Sequence, residues 1–300
     1  MKLFSYEGYQ DLTAMLDLLA KGRKAENGTY YVHRGDLQWW LFYTDVPQDV
    51  WQSNIRLLKE DGRLLGWVLL SMDAGAFDVY VDPSLRNTPR EHELLAWALE
   101  HTSILDKVQT VWVAEEDTPR IHWLEEYGFA VEQEHLILLK RTLSGHLDAP
   151  ALPDGFALRS SCGTKKDARL RSTASHAAFG STKPFEEYVP RTWRFMQSPV
   201  YLPEHEIFVT KADGQVVAFC IIWTDDLNKV GLFEPVGTHP DFQRKGLGKR
   251  LLFEGLRRLK SEGMGEATIC ADSNNPAAIH LYESAGFQKV KKLLTFAKRK

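Results

Sequence analysis

Apolar and polar positions along the chain alternate between helical and strand periods in an order that occurs twice. Tyr9–Leu19 reads as an amphipathic helix, and Gly35–Tyr43 is dense in aromatics, with Trp39, Trp40, Phe42 and Tyr43. Trp51–Lys59 and Leu64–Met72 have strand character, with Asp61-Gly62 as the turn between them. Ala76–Val81 is a third strand reaching Asp82-Pro83. A helix over Glu91–His101 and a strand over Thr110–Ala114 follow. A short helix over Pro119–Tyr127, stopped at Gly128-Phe129, and a strand over His135–Lys140 close this half. Residues 142–155, TLSGHLDAPALPDG, concentrate proline, glycine and polar side chains, the composition of a linker.

The second half opens with a strand at Phe156–Arg159 and helices over Lys165–Phe179 and Phe185–Gln197. Ile207–Lys211 and Gln215–Trp223 form a hairpin about Asp213-Gly214, and Val230–Val236 is the next strand. Leu247, Leu251, Leu252, Leu256 and Leu259 then recur at helical spacing, so one helix face is apolar and buried. A strand over Glu266–Ala271 leads to a short helix with Asn275 as N-cap, Pro276 as first helical residue and Gly286 as its stop. The two halves repeat at an offset of about 157 residues. Pro83 matches Pro240, Leu94-Leu95 match Leu251-Leu252, and Gly128-Phe129 matches Gly286-Phe287 within one residue.

Composition narrows the class without choosing a function. With 300 residues, 44% hydrophobic and 26% charged, the chain has the makeup of an ordinary globular protein with room for two domains. A net charge of −3 gives no global reason to expect nucleic acid, although Gln243–Lys300 carries 13 Lys/Arg against 5 Asp/Glu. Cys162, Cys220 and Cys270 are odd in number and widely spaced; they make no metal-ligand pattern and suit a reducing compartment. Apolar runs fall short of a membrane span, and MKLFSYEGYQ lacks a signal-peptide profile. The expectation is a cytoplasmic protein without a metal and without a membrane partner.

The chemistry concentrates in Gln243-Arg244-Lys245-Gly246-Leu247-Gly248-Lys249, which follows a strand and opens a helix. Such a turn aims unpaired backbone N–H groups at one point, where the positive end of the helix dipole adds to them. Gly246 and Gly248 admit a ligand close to the backbone, and Arg244, Lys245 and Lys249 add charge. The spacing is neither a P-loop nor a dinucleotide fingerprint. The pattern Gln/Arg-x-x-Gly-x-Gly resembles the coenzyme A pyrophosphate loop of the GCN5-related N-acetyltransferase (GNAT) family. Downstream, Asn275-Pro276-Ala277-Ala278-Ile279-His280-Leu281-Tyr282-Glu283-Ser284-Ala285-Gly286-Phe287 resembles the GNAT segment that packs beside the pantetheine arm.

That resemblance implies an α/β (α+β) fold of two tandem GNAT-like domains, each a mixed, mostly antiparallel sheet flanked by helices. Residues 1–141 would be a degenerate copy, 142–155 a linker, and 156–300 the catalytic domain. It implies acetyl-CoA as cosubstrate, transfer of its acetyl group to a primary amine in a ternary complex, and a small-molecule acceptor. Val236, Gly237 and Thr238 would hold the pantetheine and carbonyl by their backbone, with Asn275 and Tyr282 beside the cofactor. Tyr282 would protonate the leaving thiolate. Glu234 would be the general base, since period-two alternation puts Glu234, Val236 and Thr238 on one strand face. His176, Phe179 and Trp193 fall where acceptor specificity is set. In the first half, Arg86-Asn87-Thr88-Pro89-Arg90-Glu91 replaces the glycine loop and Leu124 stands in register with Tyr282. Glu91 would repel a pyrophosphate, so this half is expected to shape the acceptor pocket instead. Two other readings remain compatible with the residues: a non-catalytic acyl-CoA-binding regulator, and an acetyltransferase of protein or ribosomal amines.

Overall fold

Apart from the helical turn α3, both halves of the chain fold through the same order of elements in the computed structural model, which describes residues 2–25, 32–47, 50–72, 74–103 and 106–299. The first runs β1 (Leu3–Ser5), α1 (Tyr9–Ala25), α2 (Arg34–Phe42), the helical turn α3 (Trp51–Asn54), β2 (Ile55–Glu60), β3 (Arg63–Ser71) and β4 (Ala76–Val81). It ends with α4 (Pro89–Ser103), β5 (Gln109–Ala114), α5 (Thr118–Glu126) and β6 (Ala130–Thr142). The second runs β7 (Phe156–Ser160), α6 (Lys165–Ala178), α7 (Phe185–Met196), β8 (Glu206–Lys211), β9 (Val216–Asp225) and β10 (Val230–Thr238). It ends with α8 (Leu247–Ser261), β11 (Glu266–Asp272), α9 (Pro276–Ser284) and β12 (Gln288–Lys298).

All these strands join one 12-stranded sheet, in the order β1-β2-β3-β4-β5-β12-β6-β11-β10-β9-β8-β7. Only β4·β5 and β10·β11 are parallel, so the sheet is mixed and mostly antiparallel. The order is unchanged when the two halves trade places, with β12 and β6 at the centre. The closing strands are exchanged: β6 pairs along β11 of the second half, and β12 pairs along β5 of the first.

The observed elements depart from the sequence pattern at three places. Trp51–Asn54 is a helical turn rather than the start of a strand, because Trp51 turns into the core (7% exposed) and the strand begins at Ile55. β1 is too short, and β12 too irregular, to show as strands in the pattern. The ladder between β12 and β6 shifts register at Lys289/Lys291 and again at Leu294/Phe296, which breaks any period-two signal.

The apolar stripe of α8 covers the second half's sheet: Leu247, Leu251, Leu252, Leu256 and Leu259 are each at most 1% exposed. Burying one such side chain is worth roughly 1.5–3 kcal/mol. Helix α2 crosses from the first half onto the second. His33 caps it, accepting from Gly35 N–H through Nδ1 (2.9 Å), while Nε2 lies 3.1 Å from Val230 O. With Nδ1 an acceptor, the proton sits on Nε2 and donates to that carbonyl. Burial, then the charge of Arg23, holds the ring's pKa down at about 3, so it stays neutral. Gly35 packs on Trp223 of β9 so closely that a Cβ there would lie 2.4 Å from Trp223 Cγ. Among the described residues, no helix is long and apolar enough to cross a membrane.

Candidate active site

The parallel pair at the heart of the second half comes apart. β10 is in register with β11 only from Val230↔Glu266 to Phe233↔Ile269. A bulge between Phe233 and Val236, at Glu234-Pro235, then turns β10 away while it stays paired with β9 through Thr238↔Ala218. Proline has no N–H to offer a ladder, so the split falls where the sequence already weakens pairing. From Val236 to Thr238 the edge facing β11 carries no ladder partner, and such an edge can pair with an extended ligand.

The loop 243–248 stands at the open end of this wedge. Arg244 (φ 63°) and Gly246 (φ 77°) are left-handed, and Gly246 is the N-cap of α8 without any side-chain cap. The first-turn N–H groups of α8 are therefore left for an anion. Gln243 Nε2 donates to Thr238 O (3.2 Å), tying loop to strand end, and Lys245 lies over the Phe242 ring. Leu247 faces the core, so only its backbone N–H is available to a ligand. Gly248 is buried against Leu281 and Thr238: a Cβ there would come within 3.1 Å of Leu281 Cδ2.

The corresponding loop of the first half has the same shape and is filled. Asn87 (φ 61°) is the counterpart of Arg244, and Gly128 and Gly286 stop their helices at φ 82° and 84°. Glu91, 1% exposed, stands where Gly248 does, and its carboxylate accepts from Asn87 N–H (2.6 Å), Arg86 Nη1 (2.7 Å) and Arg120 Nη2 (2.6 Å). Arg120 in turn holds the place of Ala278. Two small residues of the open site are thus replaced by a buried ion pair. Beyond any repulsion, the Glu91 carboxylate itself fills the space at the loop N–H.

Beside the wedge lies a cavity of about 340 Å³. Its walls come from both halves: Trp39 and Tyr43 at the end of α2, Tyr188 and Arg191 on α7, Phe179 and Ser181 after α6, and Glu234 with Pro235 on β10. Burial first, and the neighbouring charge of Asp36 second, push the Glu234 carboxyl up to about 8, with Arg171 opposing. Trp223 Nε1 donates to the Glu234 carbonyl (2.8 Å) and fixes the strand there. Tyr282, 6% exposed, has its phenol pushed well up by burial and then by Glu234, so it stays protonated. Burial likewise raises the Cys220 and Cys270 thiols, which removes thiolate character.

The other candidates sit apart from the cavity wall. His176 Nε2 lies 2.8 Å from Lys183 O, with its ring edge-on to Phe185 and Tyr188. Trp193 packs among the α6–α7 aromatics under Lys165. Asn275 Oδ1 accepts from Ala278 N–H (3.0 Å) as helix cap, at the exposed end of α9. Sequence reasoning missed Tyr43, Tyr188 and Arg191, and the buried pair behind them, Arg171 Nε and Glu206 Oε1 at 3.2 Å. The aromatic density of 35–43 was the one available signal. Among the described residues, no group of three or more His, Cys, Asp or Glu could hold a metal ion.

Comparison with known proteins places this geometry. Residues 172–287 match the family model described as the acetyltransferase (GNAT) family. The mycothiol acetyltransferase of Thermobispora bispora is 30% identical over 247 residues, covering 78% of this chain and 79% of its own. That of Streptomyces coelicolor is 26% identical over 239 residues, covering 78% and 76%. Among solved structures, a tandem GNAT protein from the clavulanic acid biosynthesis pathway superposes with TM-score 0.72 at 15% identity, covering 99% of this chain and 98% of its own. A GCN5-related N-acetyltransferase from Sphaerobacter thermophilus gives 0.66 at 19% identity, covering 99% and 95%.

Proposed function

Because the chain belongs to the acetyltransferase (GNAT) family and is an acyltransferase, we propose that its second half transfers an acetyl group from acetyl-CoA to the amine of a small-molecule acceptor. The observation that carries this is the pairing of an open wedge with the cavity at Glu234. When bound, acetyl-CoA supplies the thioester carbonyl that an amine attacks. The residues present fit it: a free strand edge for the amide-bearing arm, uncapped N–H groups for the pyrophosphate, and small side chains at Gly248 and Ala278. The counterpart pair Glu91 and Arg120 leaves no such space in the first half, which supports a single cofactor site per chain.

Glu234 faces the cavity and accepts the acceptor's proton, directly or through one water. Its raised pKa suits a base working near neutrality, and its ionised form is the active one, so the rate rises as pH passes through about 8. Tyr282 keeps its proton across that range and supplies it to the leaving thiolate. The mycothiol acetyltransferase relatives favour a small acceptor over a protein or ribosomal amine.

Thiol release from acetyl-CoA, followed from pH 6 to 9 over a panel of amines, tests the assignment. Glu234→Gln should cut kcat by about 10²–10⁴-fold and remove the limb near pH 8. Tyr282→Phe should lower kcat while acetyl-CoA affinity stays within about twofold. A limb that survives in Glu234→Gln assigns the base elsewhere.

A further inference from the structure

Resting on that reading, we propose that the acceptor is a small amine with a flat apolar body and an anionic group, the anion held by Arg191. Trp39 and Tyr43 present a stacked pair of rings (centroids 3.9 Å apart, planes at 12°), and Phe179 leaves its ring 51% exposed across the cavity. With Trp39 and Arg191 over the Tyr43 ring, a planar apolar body packs against the exposed Phe179 ring and the aromatic edges opposite it. A sugar would need several hydroxyl partners. Ser181 is the one aliphatic hydroxyl in the wall, and the Tyr43 hydroxyl already accepts from Arg171 Nη1 (2.9 Å).

Charge gives the cavity two ends. Glu234 marks one. At the other, the Arg191 guanidinium lies over the rings of Tyr43 (4.3 Å) and Tyr188 (4.6 Å), with Nη2 donating to the Tyr43 hydroxyl (3.4 Å). The acid beside it, Asp45, is 3.8 Å from Arg191 Nη1 and is shared with Arg194 (3.5 Å) and Lys183. Three cations on one carboxylate leave net positive charge at the mouth. Arg171, by contrast, is already paired with Glu206. The Tyr43 phenol reports the same field: burial raises it, yet Arg171 and Arg191 outweigh burial and bring it down to about 8. The Nη1 end of Arg191, shared only loosely with Asp45, is the guanidinium group from which a carboxylate or phosphate of the acceptor accepts a charge-assisted bond. The 340 Å³ volume, at the small end of ligand pockets, holds a body of amino-acid dimensions.

Matched acceptor pairs read this directly: phenylalanine against phenethylamine, tryptophan against tryptamine, with glucosamine as the sugar amine. The wild type should favour the carboxylate-bearing member of each pair by at least tenfold in kcat/KM, and favour it over glucosamine. Arg191→Gln should bring the ratio within each pair to near one, whatever happens to the absolute rate, and Arg191→Lys should restore part of it. Equal use of both members, preference for glucosamine, or a ratio unchanged in Arg191→Gln overturns the anionic aromatic acceptor while leaving the acetyltransferase intact. Absence of thiol release with every amine overturns the proposed transfer reaction, and the acceptor assignment with it.

Discussion

Gly248 works by what it lacks. Its counterpart Glu91 shows how a carboxylate at this place reaches back to the loop N–H and closes the site from within. Gly248→Glu should install the same plug in the second half. Acetyl-CoA affinity, measured by calorimetry, should fall at least 100-fold, about 2.7 kcal/mol. Gly248→Ala is the control. Its methyl must displace Leu281 by only a few tenths of an ångström, so its loss should stay below tenfold. Wild-type affinity in the Glu variant would remove the loop from the binding site. The loop's glycines stand in the sequence as a motif, as does the absence of glycine in the first half. The role of Glu91 does not, because it depends on Arg86 and Arg120 arriving from 5 residues before and 29 residues after it. Glu234 is legible from strand alternation alone, yet its raised pKa needs burial and Asp36, a residue of the other half.

At the level of elements, the position of α8 decides where the anion cradle points. The helix sits on β10 through two reciprocal close approaches: Gly255 under Phe233, and Gly231 under Leu259. A Cβ at Gly255 would lie 2.3 Å from Phe233 Cε1, far inside contact distance. Gly255→Ala should therefore cost about 1–3 kcal/mol through overpacking, lowering Tm by several degrees in thermal unfolding. It should also weaken acetyl-CoA binding, because lifting α8 moves its N-terminus away from Thr238. A drop in Tm with unchanged affinity would show that the loop holds its place independently of the helix. The leucine stripe made α8 visible in sequence. Its seating was not visible, since a glycine in a helix reads as a propensity defect until its partner across the interface is known.

Over the whole molecule, the repeat at an offset of 157 was legible and the exchange of closing strands was not. Local pattern is the same whether a half's last strand returns to its own sheet or crosses to its twin's. The side chains that the two strands deliver differ in volume: β6 brings Leu139 into the core under α8, and β12 brings Phe296 into the core under α4 and α5. Residues 156–300 expressed alone would lose β6 and with it the seven-residue ladder from Glu266↔Thr142 to Asp272↔Leu136, leaving β11 as an open edge. β12 would lose both of its partners. Folding β12 back against β11 is the obvious escape, but it offers a phenylalanine where the core has a leucine, and overpacking opposes it. This fragment should therefore aggregate or self-associate in size-exclusion chromatography and bind acetyl-CoA weakly. Co-expression with residues 1–150 should restore a complex that elutes like the intact chain and binds with its affinity. A monomeric 156–300 fragment with full affinity would show that β12 can replace β6, and that the exchange is dispensable to the site it borders.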